Sequence, residues 1–113
     1  MAAQIKRVFT GKYKETFGKG PENTVVDIIG DVIIIKLQGF LTPLEQAMHK
    51  HPDGARKVEG IRNDIYRSFK SELEIQLERL TDKSITKIIK SLNVDEDKEH
   101  IFIVMEGVIE KAG

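Results

Sequence analysis

The chain has 113 residues, of which 40% are apolar and 32% charged, with 18 basic and 18 acidic side chains and no cysteine. That length suits one domain with a modest core, the composition argues against disorder, and the missing cysteines exclude disulfides, thiolate metal sites and cysteine nucleophiles. A formal net charge of +0 argues against a dedicated nucleic-acid binder. No apolar run approaches the ~18 residues of a membrane span, and the start, Met1 to Lys6, lacks the apolar centre of a secretion signal. A soluble, cytoplasmic protein is expected.

In chain order, Ile5, Val8, Phe9, Tyr13 and Phe17 recur at helical spacing and predict an amphipathic helix over 3–17. Gly18 stands where a helix stop belongs, and Gly20-Pro21 opposes resumption. Thr24 to Ile29 and Val32 to Gln38 are rich in β-branched residues, and Gly30-Asp31 between them suits a type II′ hairpin. That register puts Thr24, Val26, Ile28, Ile33, Ile35 and Leu37 on one face, expected to be buried. The other face carries Val25, Ile29, Val32 and Ile34 with Asp27 and Lys36. It is too apolar for water, so these four aliphatic residues are the expected dimer interface.

Thr42-Pro43-Leu44-Glu45 reads as a capping box with proline at the first helical position, opening a short helix to about Lys50 that ends before the turn His51-Pro52-Asp53-Gly54. From about Ala55 to Leu80, Val58, Ile61, Ile65, Phe69, Leu73, Leu77 and Leu80 step by three or four residues. Such a helix is about 40 Å long, so one end is expected to project or to pack on a second copy. Residues 84–92 fit either a helix, through Ile85, Ile88, Ile89 and Leu92, or a β arm. His100 to Met105 reads as a strand. The expected fold class is α+β: a two-layer sandwich in which two β-hairpins form an antiparallel or mixed sheet against the N-terminal helix and the long amphipathic helix. Residues 1–107 form the domain and 108–113 a C-terminal tail.

Candidate sites are few. Gly18, Lys19 and Gly20, in "FGKGPE", make a candidate ligand-binding loop for a small anion or nucleotide. Neither a Walker A nor a dinucleotide fingerprint is present, however, because a strand follows the loop. The loop also sits at a helix C-terminus, whose dipole repels anions, so corner-making is the better reading. His49, His51 and Asp53 would converge on a metal only if the turn reoriented His51; with His100 they read as surface histidines, and no metal or cofactor is expected. Asp95 to Glu99 lacks the glycine and distal glutamate of a calcium loop and reads as a solvated turn. No serine or threonine sits in a nucleophile motif; no catalytic residue is assigned, and an enzyme is the minority reading. Charge is uneven: residues 1–20 hold five bases against one acid, whereas residues 72–113 hold ten acids against six bases. Lys6, Arg7, Lys12 and Lys14 could lay the first helix on an anionic membrane, but its apolar stripe is expected to be core.

The order of a first helix, "FGKGPENTVVDIIGDVIIIKLQGFLTPLE", a long helix, "LTDKSI" and a terminal hairpin resembles the MpsC-type domain family, named for a sodium-translocating, membrane-potential-generating system. Gly18-Lys19-Gly20-Pro21, Asp31 to Gly39 and Leu41 to Glu45 carry the likeness, which covers nearly the whole chain. The polar "HKHPDG" and the acidic stretch 93–99 depart from the family pattern. The resemblance favours an extended arm at 84–92 and implies an association with ion translocation or membrane energetics. It supplies no catalytic residues. A chain without a spanning segment cannot itself carry sodium across a bilayer. The expected function is therefore a non-enzymatic accessory or regulatory module of bacterial type, a homodimer with a membrane-protein subunit as possible partner. The alternative is anion or nucleotide binding at Gly18 to Pro21.

Overall fold

Alternating β-branched residues on either side of Gly30-Asp31 fold back on themselves. Strands β1 (Asn23–Ile29) and β2 (Val32–Gln38) pair antiparallel, with Ile28 opposite Ile33, Val26 opposite Ile35 and Thr24 opposite Leu37. Gly30, at φ +60°, supplies the left-handed first position of the turn, and Asp31 needs no positive φ. The structure, a computed structural model, describes residues 1–109.

The remaining elements are α1 (Ala2–Phe17), α2 (Pro43–His49), α3 (Gly54–Thr81), β3 (Ile85–Asn93) and β4 (Lys98–Met105). The sheet is antiparallel throughout, in the order β1-β2-β4-β3, so the two hairpins join through β2 and β4. The ambiguous segment 84–92 is thus strand rather than helix. Ile85 pairs with Met105 and Lys87 with Val104, which makes Thr86 an extra, bulged residue.

All three helices lie on one side. Helix α1 runs beneath β1 and α3 beneath β3, and α2 covers the first part of α3. Ile5, Phe9 and Tyr13 of α1 and Phe69, Leu73 and Leu77 of α3 pack against Ile33, Ile35, Leu37, Ile101, Ile103 and Met105. Burying each such side chain gains about 1.5–3 kcal/mol. The stripe of α1 is therefore core and not a membrane-facing surface.

Two expectations about α3 need correction. Its buried residues run from Gly54 through Val58, Arg62, Tyr66, Phe69, Leu73 and Leu77 to Thr81, so neither end projects. The molecule stretches to accommodate it, measuring 47 × 22 × 22 Å with a radius of gyration of 14.5 Å, against about 13 Å for a compact chain of this length. Ile61, placed on the inner stripe by periodicity, is 47% exposed, and Arg62 takes the inward position. At the far terminus Ile109 is buried and donates its backbone N–H to Gly30 O at 3.0 Å. Ordered contacts therefore reach residue 109, and the rest of the expected tail lies outside the described residues.

Candidate functional site

The sheet has two faces, and the helices cover one. On the other, hydrogen-bonded register lines up four rows across β1, β2, β4 and β3. The row at the turn end is Ile29, Val32, Val104 and Lys87; the next is Asp27, Ile34, Phe102 and Ile89. Beyond them lie Val25, Lys36, His100 and Ser91, then Asn23, Gln38, Lys98 and Asn93. Two adjoining rows are thus mainly apolar, and two mainly polar or basic. Ile29 is 64% exposed, Ile89 46%, Val25 42% and Phe102 36%. Val32, Ile34 and Val104 are half-buried among their neighbours. All four residues expected at a dimer interface, Val25, Ile29, Val32 and Ile34, stand on this face. Ile89, Phe102 and Val104 extend it, and their signal lay in the alternation of 98–105, which sends Ile101, Ile103 and Met105 to the core and Phe102 and Val104 outward. Together they leave a contiguous, mainly apolar area open on this face.

The glycine loop is a corner with internal partners. Gly18 adopts φ +80° as the left-handed cap of α1, its N–H donating to Lys14 O at 2.9 Å. The Lys19 ammonium donates to Leu41 O at 3.2 Å and lies 3.5 Å from a Glu22 carboxylate oxygen. Gly20 sits against Lys14 Cβ and Thr10 O. Glu22 N–H donates to Gly39 O, tying the loop to the end of β2.

Below the corner lies a buried charged cluster that periodicity missed. Thr42 and Glu45 form the expected capping box, with Glu45 N–H donating to Thr42 Oγ1 and Glu45 Oε1 accepting from Thr42 N–H. Arg62 binds the same carboxylate with both arms, Nε to Oε2 and Nη2 to Oε1, each at 2.6 Å, and donates to Phe40 O at 3.1 Å. Its guanidinium also stacks 3.8 Å from the Phe17 ring centroid and 4.9 Å from that of Phe40. Burial alone would raise the Glu45 pKa, but the hydrogen bonds from Arg62 and Thr42 outweigh it and lower the value from its ordinary 4.5.

A second buried carboxylate, Glu99, accepts from the Tyr13 hydroxyl and lies 3.3 Å from Lys90 Nζ, which stands 3.7 Å over the Tyr66 ring. Burial, then the charge of Glu99, pushes the Tyr13 pKa well above its usual 10.0. Burial, then Glu74 and Glu99, pushes Tyr66 up to about 12. Both phenols stay protonated at neutral pH, so Tyr13 serves Glu99 as a donor. Strand alternation carried this signal, since it puts Glu99 in line with Ile101 and Ile103, and Lys90 in line with Ile88 and Leu92. The cluster joins α1, α3, β3 and β4. Thr24 Oγ1 and Arg62 Nη1 are buried polar atoms with no hydrogen-bond partner among the described residues.

Three polar features complete the surface. A groove of about 610 Å³ between α1 and α3 is lined by Arg7, Gly11, Gln76 and Arg79, with Lys12 salt-bridged to Glu72 at 2.9 Å. That hydrogen bond holds the Lys12 pKa above its usual 10.5, against the burial that would lower it. His49 Nε2 lies 2.6 Å from Asp95 Oδ1, while Asp97 Oδ1 accepts from the backbone N–H of Phe40 and of Leu41. The stretch 93–99 is therefore not merely a solvated turn: it holds the segment that leads into α2 and touches His49 at that helix's end. Among the described residues, no three His, Asp or Glu side chains are placed to hold a metal ion.

Residues 1–107 match the family described as "Na+-translocating membrane potential-generating system (MpsC)". The chain is also similar to "Uncharacterized protein YbcI" of Bacillus subtilis (strain 168), 26% identical over 93 residues that cover 82% of this chain and 72% of that protein. No solved structure matches. No helix among the described residues is long and apolar enough to cross a membrane. The family match over residues 1–107, nearly the whole length, places this chain in the MpsC family.

Proposed function

We propose that this protein is a non-enzymatic accessory or regulatory module that works in the cytoplasm of a bacterium as a homodimer, in association with a sodium-translocating or membrane-energising assembly. The observation that carries the reading is the open sheet face, on which Ile29, Ile89 and Phe102 stand exposed beside Ile34 and Val32. Water-facing antiparallel sheets ordinarily alternate apolar-in and polar-out, and this one departs from that pattern over two adjoining rows. A covering surface is the physical reason such a face is retained.

A second copy meets the requirement by stacking sheet on sheet, ~10 Å apart. The two apolar rows, four strands wide at about 4.8 Å each and about 13 Å along them, give a footprint of about 250 Å² per copy. That lies below the size of stable specific interfaces, so the dimer is weak and concentration-dependent. The family description supports the assignment to a membrane-energising system, and the membrane-protein subunit is then a further partner. Sedimentation velocity across the micromolar range tests the reading: a reversible monomer–dimer boundary is expected, abolished by Ile34→Asp. A monomer at high micromolar concentration overturns it.

A further inference from the structure

We infer that the polar end of the open sheet face is a binding site for a phosphate monoester, with Lys36 and Lys98 as its charged contacts and His100 beside them. The site goes beyond the dimer reading and does not depend on it. Strand pairing sets Lys36 directly opposite His100, and Lys98 opposite Gln38, on the two central strands. Side chains opposite one another have Cβ atoms about 5 Å apart, and diagonal neighbours lie about 7–8 Å apart. Two lysines and a histidine are therefore gathered over one small area by backbone register, which rigid central strands enforce.

The surface there is concave. A hollow of about 190 Å³ is lined by Asn23, Lys36, Gln38, Lys98 and His100 together with the apolar Val25 and Leu37. The lining is rich in donors: each lysine offers three, each carboxamide two, and the imidazole at least one. Counter-charge is scarce. Glu96 lies 3.7 Å from Lys98 Nζ, and its carboxylate is the sole one paired with any of these three side chains among the described residues. Asp27 stands one row away on the edge strand.

A phosphate monoester fits this chemistry better than a diester or a carboxylate. It carries close to two charges at neutral pH and three strong acceptor oxygens, which two ammonium groups and the neighbouring amides can satisfy together. Its source is either a soluble metabolite or a lipid headgroup, since Ile34 and Phe102 in the next row give an acyl chain a dry surface.

The test uses the full chain, with inorganic phosphate as probe and backbone amide shifts as readout. Saturable shifts are expected at Lys36, Gln38, Lys98 and His100. Lys36→Gln and Lys98→Gln should each weaken binding about tenfold, the loss of one charge-assisted hydrogen bond. Lys57→Gln, on the exposed surface of α3, should leave binding unchanged. Vesicles of phosphatidylcholine with phosphatidate separate the sources: retention competed by phosphate assigns a lipid monoester, and phosphate binding without retention assigns a soluble one. The absence of saturable shifts, or shifts that persist undiminished in both lysine variants, overturns the site.

Discussion

At the turn end of β1 and β2 the two faces of this sheet carry the same kinds of residue and meet opposite fates. On the inner face Ile33, Ile35, Ile101 and Ile103 are wholly buried; one position along each strand, Ile34 and Phe102 remain accessible on the outer face. The difference does not arise from the strands, whose hydrogen-bonded register treats both faces alike. It arises because α1 and α3 lie on the same side, and three helices on one side leave the other bare. An aliphatic residue is thus buried beneath the helices on one face and left open on the other.

Substitutions in matched pairs sharpen that contrast. Ile35→Ala should cost about 2–5 kcal/mol in denaturant unfolding of the monomer, through lost transfer energy and a residual cavity. Ile34→Ala, its neighbour, should cost less than about 1 kcal/mol at concentrations where no dimer forms. Equal losses at the two positions would break the comparison.

The charged cluster of the inner layer comes next. Arg62→Met should cost about 3 kcal/mol, because it strips Glu45 of a bidentate partner and frees α2 from α3; chemical unfolding checks it. A smaller loss, about 2 kcal/mol, is expected for Tyr13→Phe, which removes one donor from buried Glu99 and leaves Lys90 to neutralise it.

The smallest effect is one of pH. Glu45 has its folded pKa below the ordinary 4.5, so its pairing stabilises the fold fully above that value and is lost as pH falls through the folded pKa. Glu45→Gln should flatten the acid limb of a stability–pH curve and leave the neutral region parallel to the parent. An unchanged acid limb would show that other carboxylates govern acid unfolding.

Much of the inner layer was legible. The hairpin register followed from β-branched alternation around Gly30-Asp31, and the capping box from Thr42 and Glu45 three residues on. Residues 84–92 resisted, for a physical reason. The bulge at Thr86 spaces the inward-facing Ile85 and Ile88 three apart, and Ile89 then points outward, so the strand imitates a helical 3–4 step. Arg62 was missed because a charged residue in an apolar stripe looks like an error of phase until Glu45, Phe17 and Phe40 surround it. Lys19 could be read as a free cation because nothing local reveals that Leu41 O, 22 residues away, accepts its hydrogen bond. The cluster of Lys36, Lys98 and His100 was likewise hidden, since it forms only when β2 pairs with β4.

Sedimentation equilibrium on the full chain and on Phe102→Asp tests most directly whether the bare face is a docking surface. The expected result is a concentration-dependent dimer for the parent and a folded monomer, with unchanged circular dichroism, for the variant. A parent that stays monomeric at high micromolar concentration, or a Phe102→Asp protein that dimerises as the parent does, would contradict it.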